Sequence, residues 1–260
     1  MSSAAPASSH GEQFAEVVVV RHGETAWNVS RTIQLWIKGH MDSELNATGK
    51  QQAVMVARRL SKEAKPAAVY SSDLKRAAET ARTIAAACDV PNLVLDRALR
   101  GRHVGDLHGL KWADAVTHPE ALKAYSSKER NQEISGGGES LDQLSERCVS
   151  YLNEITQKHK EGARDRGLPW RDHRADMQAR RSVELGSEWM PNTSVSVLHI
   201  SGSSRHWILD KFGDVGHLDD DVGFLRNAAA GDGACISSPE ASKQGTCGAL
   251  YHTKLSTLCD

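Results

Sequence analysis

The sequence carries almost no net charge, because 32 lysines and arginines oppose 33 aspartates and glutamates. A chain of formal charge −1 gives no electrostatic reason to expect nucleic acid or an anionic membrane as a partner. Any cationic chemistry must therefore come from a few arginines placed at one site. A pocket for a phosphate group requires no more than that.

The chain also lacks the cysteine and leader patterns of a secreted protein. Its five cysteines form no CxxC pair and follow no apolar segment of the kind found in signal peptides. The opening residues have no arginines of the sort that transit peptides carry. We therefore expect reduced thiols, a cytoplasmic location and no metal site, with residues 1–14 as a disordered tail.

The most informative segment present is a run of four valines, Val17 to Val20, that leads directly into Arg21, His22 and Gly23. Such a run predicts a buried strand, and α/β enzymes present functional groups at the carboxyl edge of their sheet. An Arg-His pair alone would be a weak signal, because the chain has 12 histidines. The strand before the pair and the Gly-Glu-Thr after it make His22 a candidate nucleophile.

Strand and helix patterns alternate in the first third of the chain, which is typical of βαβ units and a largely parallel sheet. A length of 260 residues fits one α/β domain with appendages, which we assign to residues 15–226. Within it, residues 160–187 lack strand periodicity and predict an irregular segment. Residues 227–260 are rich in Gly, Ala, Ser and Cys and predict a poorly ordered tail.

The individual elements follow from apolar spacing and turn residues. Their predicted positions are a helix opening at Asn46, a strand Ala67–Tyr70, a helix Leu74–Ala87 capped by Asp73 or Ser72, a strand Leu93–Leu95, a long helix Ser140–Gln157, and a strand Ser194–Ile200 with His206–Asp210 as its hairpin partner.

A second motif, Ser71 to Ala81, contains Arg76 near the start of a predicted helix. With the Arg-His-Gly segment, it resembles the signatures of the histidine phosphatase superfamily, the clan of cofactor-dependent phosphoglycerate mutases and related phosphatases. The segment Gly137-Gly138-Glu139-Ser140 is similar to a helix start of that family. The pattern from Leu99 to Leu107 is closest to plant-type, metal-independent phosphatases, including phosphoserine phosphatases.

The resemblance implies a phosphoglycerate mutase-like α/β fold of three layers, with a mostly parallel sheet and helices on both faces. It implies that His22 takes up a phosphoryl group without a metal or organic cofactor. A guanidinium suits phosphate because its fixed donors meet two oxygens at once. The residues implied at the substrate phosphate are Arg21, Arg76 and Asn28, and further candidates are Arg102 and Glu139. For Glu139, a carboxylate that only stabilises the helix dipole is the alternative.

The first departure from the family pattern removes the proton donor. The family reads Leu-Arg-Glu-Arg-His where this chain has Gly101 between Arg100 and Arg102. A positioned general acid contributes about 10²- to 10⁴-fold, or roughly 3 to 5 kcal/mol of barrier. We therefore expect impaired turnover, with His103 and Asp106 as candidate substitutes.

Two further departures concern loops and the second histidine of the family. The residues Leu35-Trp36-Ile37-Lys38 are an insert in a loop over the site, which bears on substrate specificity. No second-histidine motif follows the long helix, and His173 and His199 are the candidates to replace it. The codons of residues 168–174 can be chosen so that reading one nucleotide later gives Ser-His-Gly-Gly-Thr-Ile-Glu. We hypothesise a reading-frame disruption within residues 162–187.

Three functions remain open at this point. The first is a phosphomonoesterase that forms phosphohistidine and acts on small phosphorylated metabolites, with impaired activity. The second is a catalytically inactive protein that binds phosphate ligands or interacts with a partner, and the third is a phosphoglycerate mutase. The physiological substrate and the oligomeric state are not determined by the sequence.

Overall fold

The computed structural model describes residues 13–33, 42–127, 129–159, 164–165, 190–201, 206–218 and 254–259. The strands are β1 (Gln13–Arg21), β2 (Pro66–Ser71), β3 (Leu93–Leu95), β4 (Arg164–Asp165), β5 (Val195–Ser201), β6 (Trp207–Asp214) and β7 (Lys254–Cys259). The α-helices are α1 (Ala26–Val29), α2 (Ala47–Leu60), α3 (Lys75–Ala87), α4 (Pro119–Tyr125) and α5 (Leu141–Lys158). Short 3₁₀ turns cover Arg97–Leu99, Gly105–Leu107, Ala115–Thr117 and Gly216–Leu218.

The elements predicted from apolar spacing are present at nearly the predicted bounds. Asn46 caps α2 through its side chain, which accepts from the backbone N–H of Gly49. Ser140 caps α5 in a reciprocal capping box with Gln143. The predicted hairpin of β5 and β6 is confirmed, because the two strands pair antiparallel. The chain is therefore α/β, as predicted.

The sheet is mixed, and the prediction of a mostly parallel sheet is wrong in that respect. Within the described residues β7 pairs parallel with β1 and β2, and β2 with β3, whereas β1–β4, β1–β5 and β5–β6 are antiparallel. The reason is connectivity, since β5 ends at Ser201 and β6 already begins at Trp207, and so short a connection allows only antiparallel pairing. The βαβ rule applies to the first part of the chain and does not extend to its hairpin.

A strand from the far end of the sequence occupies the centre of the sheet. The strand order is β3-β2-β7-β1-β5-β6, so β7 lies between the two strands that lead to the Arg-His and Arg76 motifs. Residues 227–260 were predicted to be a poorly ordered tail, and the part of them that the structure describes, β7, is instead a strand with a partner on each edge. The prediction for residues 160–187 lies outside the described residues, except for β4.

The apolar residues of the sheet alternate between two faces, as the pleat requires. Val17 of β1 packs with Leu152 and Ile155 of α5 on one face. Val18 packs with Val56 of α2 and Ile84 of α3 on the other. β1 is therefore covered from both sides, which fixes the position of the loop that follows it.

A third, smaller cluster joins the segment between β3 and α5 to the residues after α1. Ile33 is the member of the cluster that follows α1, and the backbone N–H of Ile33 donates to the carbonyl of Leu110 at 2.8 Å. Thr32 and Lys111 form an isolated antiparallel bridge. The remaining buried members are Val104, Leu107, Ala115, Ala121, Ala124 and Ile134. The segment carrying Arg102 and His103 is thereby anchored beside the loop after β1.

Candidate active site

The loop after β1 places His22 at the carboxyl edge of the sheet. The residue is buried, with 3% of its surface exposed, and its Nδ1 lies 2.6 Å from the carbonyl oxygen of Gly23. A carbonyl oxygen only accepts, so Nδ1 carries the proton and Nε2 keeps its lone pair. The ring is therefore held in the tautomer that can attack through Nε2.

His22 is uncharged near neutral pH. Burial lowers the pKa of His22 well below its usual value, and the positive charges of Arg76 and Arg21 lower it further, against the opposing effect of the Gly23 carbonyl. A neutral imidazole is the nucleophilic form. The structure thus brings the two arginines predicted to bind phosphate into electrostatic range of His22.

Two helices pack directly on the loop that carries His22. A Cβ at Gly49 of α2 would lie 2.0 Å from the carbonyl oxygen of Glu24, and one at Gly23 would lie 2.4 Å from that of Gly49. Only glycine permits this approach. From α3, the hydroxyl of Thr80 accepts from the backbone N–H of Gly23 at 3.1 Å. The loop is consequently fixed from both helices.

Arg76 lies in the first turn of α3 and is 3% exposed. One terminal nitrogen lies 3.8 Å from the carboxylate of Asp42 and 3.5 Å from the hydroxyl of Ser43. Asp42 also accepts from the backbone N–H of Lys75 at 2.8 Å. The guanidinium is therefore buried beside a carboxylate that also interacts with the start of the helix.

The predicted cap of α3 by Asp73 or Ser72 is wrong. The capping residue is Leu74, and it makes no side-chain cap bond. Asp73 instead binds Arg100 through two N–O contacts of 2.5 Å each. This bidentate pair lowers the pKa of Asp73 through the hydrogen bonds from Arg100 and ties the loop before α3 to the segment that contains position 101.

Arg21 and Asn28 both have partners near His22. The Arg21 guanidinium donates to the carbonyl of Met190, and its backbone N–H donates to the carbonyl of Ser194 at 3.1 Å. Asn28 closes the capping box of α1, where its Oδ1 accepts from the backbone N–H of Thr25 at 2.9 Å. The role of Asn28 at a substrate phosphate stays a prediction.

Asn192 and Thr193 contact His22, although no sequence pattern pointed to them. Asn192 Nδ2 and the backbone N–H of Thr193 donate to the carbonyl oxygen of His22 at 3.0 and 3.2 Å. Both residues are buried, at 3% and 0% exposure. Asn192 is 170 residues from His22 in sequence, so no local pattern could indicate this contact.

Glu139 and Arg102 lie together on the segment between β3 and α5. Both oxygens of Glu139 accept from the Arg147 guanidinium, at 3.0 and 2.7 Å, and one accepts from the backbone N–H of His103 at 3.0 Å. Arg102 donates from Nε to the Glu139 carbonyl at 2.9 Å and lies 5.5 Å above the ring centre of Tyr125. These contacts tie Glu139 to Arg147 and to the segment around position 101, and the roles of Glu139 and Arg102 at the site stay predictions.

The candidates to replace the missing acid differ in their surroundings. Asp106 is exposed and its carboxylate fills the space that a Cβ on Gly136 would need. A further histidine, His108, was not among the predicted candidates. The centres of the His108 and Trp27 rings lie 5.7 Å apart. Burial, followed by the charges of His103 and Arg76, lowers the pKa of His108 to about 4. His108 is therefore within electrostatic range of the predicted phosphate ligand Arg76.

His199 lies away from the site. It pairs with Glu16, whereas Val195 of the same strand pairs with Val20 at the edge that carries His22. The separation of four strand residues corresponds to roughly 13 Å. His199 instead lies 3.8 Å from the carboxylate of Asp210, in agreement with a structural role. His173, the other candidate, lies outside the described residues.

The described part of the chain contains neither a metal-binding cluster nor a helix that could span a membrane. Among the residues that the structure describes, no group of three or more His, Cys, Asp or Glu side chains could hold a metal ion. In the same part of the chain, no helix has both the length and the apolar character needed to cross a membrane.

A protein family and several known proteins match this chain over most of its length. The sequence profile of the histidine phosphatase superfamily (branch 1) matches residues 17–214. Phosphoglycerate mutase-like protein 4 of Arabidopsis thaliana is 46% identical over 233 residues, covering 86% of this chain and 95% of that protein. The metal-independent phosphoserine phosphatase of the same plant is 42% identical over 221 residues, covering 85% and 90%.

Among solved structures, the mycobacterial glucosyl-3-phosphoglycerate phosphatase superposes with a TM-score of 0.60 at 26% identity. The match covers 77% of this chain and 99% of that one. The motif order, the buried His22 between two arginines and these matches lead to one assignment: the chain belongs to the histidine phosphatase superfamily, branch 1.

Proposed function

We propose that this chain is a phosphomonoesterase that forms a phosphohistidine on His22 and acts on small phosphorylated metabolites. The observation that carries the proposal is the state of His22, which is buried, neutral and protonated at Nδ1 beside Arg21 and Arg76. The similar metal-independent phosphoserine phosphatase supports a phosphorylated metabolite as substrate.

The reaction has two displacements at phosphorus. In the first, the lone pair on His22 Nε2 forms a bond to phosphorus while the bond to the ester oxygen breaks, and that oxygen takes up a proton. In the second, a water oxygen attacks phosphorus, the P–N bond breaks and inorganic phosphate leaves. Arg76 and Arg21 stabilise the negative charge on the equatorial oxygens, which is the main task in phosphoryl transfer.

The proposed activity is impaired in the first displacement. Gly101 offers no acid to the departing oxygen, and Glu139 is bound to Arg147. An alkoxide that must take its proton from water leaves about 10²- to 10⁴-fold more slowly than one protonated by a positioned acid. Substrates whose leaving oxygen is weakly basic avoid this loss, so an aryl phosphate is the sensitive probe.

Four finer features belong to the same proposal: the layers of the fold, the location, the partners and the cofactor requirement. The sheet has α5 on one face and α2 with α3 on the other, which supports the three-layer arrangement of phosphoglycerate mutase-like folds. A cytoplasmic location and the absence of nucleic acid and membrane partners remain expectations from composition. No cofactor is needed for the two displacements.

The test is phosphate release from p-nitrophenyl phosphate and phosphoserine by the purified chain beside His22→Ala. We expect release that the substitution abolishes, and acid-labile label on the wild-type protein alone after quenching with ³²P-labelled substrate. Release that survives in His22→Ala would come from a contaminant or another residue and would refute the proposal.

A second candidate function is a phosphate-binding homologue without turnover, and the glycine at position 101 is the observation that favours it. It predicts no release above the His22→Ala background, together with saturable binding of vanadate or inorganic phosphate. Arg76→Met should weaken that binding in either case, because the buried guanidinium serves both functions.

A further inference from the structure

A buried pair of donors holds the main chain of His22 from outside its own loop. Asn192 Nδ2 and the Thr193 N–H both donate to the His22 carbonyl, at 3.0 and 3.2 Å. The N–H of the same peptide unit belongs to Gly23 and donates to the Thr80 hydroxyl at 3.1 Å. The peptide plane between His22 and Gly23 is therefore fixed at both of its polar ends.

This peptide plane controls the imidazole. The next carbonyl along the chain, that of Gly23, accepts from His22 Nδ1 at 2.6 Å. A rotation of the plane would move Gly23, and with it the oxygen that orients the ring. The donors on the His22 carbonyl therefore act on the direction of Nε2, although neither of them touches the ring.

Thr193 makes its contact in an unfavourable conformation. Its φ is +55°, in the left-handed region, and it is a fully buried, β-branched residue. Such residues rarely adopt that region, and a strained backbone of this kind costs about 1–3 kcal/mol and persists only when its surroundings hold it. Strain at a buried residue in contact with a nucleophile indicates a functional constraint.

A chain of side-chain hydrogen bonds supplies the hold on Thr193. Its hydroxyl donates to the Asn192 carbonyl at 2.8 Å and lies 3.2 Å from His217 Nε2. Arg59 lies 3.2 Å from His217 Nδ1 and 2.7 Å from the Asp214 carboxylate. A guanidinium only donates, so Nδ1 accepts and Nε2 donates its proton to Thr193.

We propose that Thr193 and His217 are positioning residues for the nucleophile: His217 holds Thr193 in its strained conformation, and Thr193 with Asn192 fixes the peptide plane that aims His22. The inference rests on the proposed function of His22. It assigns no contact with substrate to either residue, and it gives the hydrogen-bond chain from Arg59 a role in catalysis beyond joining α2 to β6.

The inference predicts a loss in kcat rather than in KM. Misplacement of a reacting group by about 1 Å costs on the order of 10²-fold in rate, whereas Arg21 and Arg76 still bind the phosphate. Thr193→Val keeps the shape and removes the hydroxyl, and we expect kcat on p-nitrophenyl phosphate to fall about 10- to 100-fold with KM changed less than about threefold. Thr193→Ser restores the hydroxyl and should restore most of kcat.

A second pair of variants tests His217, which joins Arg59 to Thr193 in the chain of hydrogen bonds. His217→Gln can accept from Arg59 and donate to Thr193, whereas His217→Leu can do neither. We expect Gln to retain most of kcat and Leu to reproduce the loss seen in Thr193→Val. Thr117→Val is the matched control, because Thr117 is an exposed threonine whose hydroxyl bonds only to the nearby Asp114 carbonyl in the same turn.

A readout that does not need turnover is the ¹⁵N spectrum of the His22 ring, assigned with His22→Ala. The wild-type ring should show the Nδ1–H tautomer, and Thr193→Val and His217→Leu should shift or broaden its signals while Thr193→Ser and Thr117→Val leave them unchanged. If the wild-type protein shows no His22-dependent release, the proposed function fails, and the ring signals alone then support or overturn the positioning role.

The result that overturns the inference is a folded Thr193→Val protein with wild-type kcat and wild-type His22 ring signals. An equal loss in Thr193→Val and Thr193→Ser would also overturn it, because the hydroxyl would then not matter. If Thr193→Val does not fold, the His217 pair decides, and equal kcat and equal ring signals in Gln and Leu would count against the proposal.

Discussion

Gly101→Glu tests whether the missing proton donor limits this chain. The neighbours of position 101 are already anchored: Arg100 binds Asp73 through two contacts of 2.5 Å, and Arg102 Nε donates to the Glu139 carbonyl at 2.9 Å. Among the described glycines, those with positive φ do not include Gly101. The backbone conformation at position 101 therefore does not require glycine, and a new carboxyl group would extend from a segment that is held on both sides.

The expected gain depends on the leaving group. A positioned general acid contributes about 10²- to 10⁴-fold, or roughly 3 to 5 kcal/mol of barrier. The leaving group of phosphoserine is a strongly basic alkoxide, so turnover of phosphoserine should gain in that range. The leaving group of p-nitrophenyl phosphate is a weakly basic phenolate, so its turnover should gain little. The measurement is kcat/KM on both substrates for wild type, Gly101→Glu and Gly101→Gln, since glutamine matches the size and offers no acid.

Two results with the position 101 variants would refute the reasoning. A rise for both substrates, or an equal rise with glutamine, would mean that the side chain acts by packing and would refute the acid argument. No rise for phosphoserine, in a folded variant that retains its His22-dependent activity on p-nitrophenyl phosphate, would refute position 101 as the place of the acid.

Three further predictions concern the proposed phosphate ligand Arg76, the central strand β7 and the dependence of stability on pH. Arg76→Met should weaken inhibition by vanadate at least about tenfold, since a hydrogen bond to a charged group contributes about 1.5–3 kcal/mol. The same substitution should raise the pKa of His22, because the Arg76 charge lowers that pKa, and the acid side of the kcat/KM pH profile should then shift to higher pH. An unshifted acid side would contradict this prediction. Ser256→Pro removes a backbone N–H donor from β7, which lies between two partner strands. It should lower the free energy of unfolding measured in urea by about 1–3 kcal/mol. Ser256→Ala is the control, and equal stability of the Pro and Ala variants would contradict the prediction. His108 has a pKa lowered from 6.5 to about 4, so the unfolded chain binds more protons than the folded chain between those pH values. The free energy of unfolding should therefore fall as pH falls through that window. In urea titrations His108→Gln should reduce this pH dependence, and an unchanged pH dependence would contradict the lowered pKa of His108.

Much of the fold was predictable because its signals are local. The valine run of β1, the capping residues of α2 and α5 and the alternation in β5 each depend on neighbours within one or two turns or a single strand. For the same reason His22 and Arg76 were identifiable, since one ends a strand and the other begins a helix. Their mutual approach follows from parallel strands meeting at one sheet edge.

Other features could not be read from the sequence because they depend on partners far along the chain. The segment that forms β7 looked like a poorly ordered tail, and only two neighbouring strands give its backbone groups their partners. The cap of α3 failed as a prediction because Asp42, from a different loop, reaches the N–H of Lys75. Local propensity is a weak guide where a tertiary contact competes with it.

The sequence by itself determined the chemistry offered: a histidine after a buried strand, two arginines that we propose as phosphate ligands and a glycine where an acid is usual. Only the tertiary structure decided the state of that chemistry. Burial, with the charges of Arg76 and Arg21, makes His22 neutral. Arg147 binds the Glu139 carboxylate, and Asn192 and Thr193 hold the backbone of His22 from a distant part of the sequence. Charge state and orientation depend on the dielectric and on distances between groups, which arise only when distant segments meet.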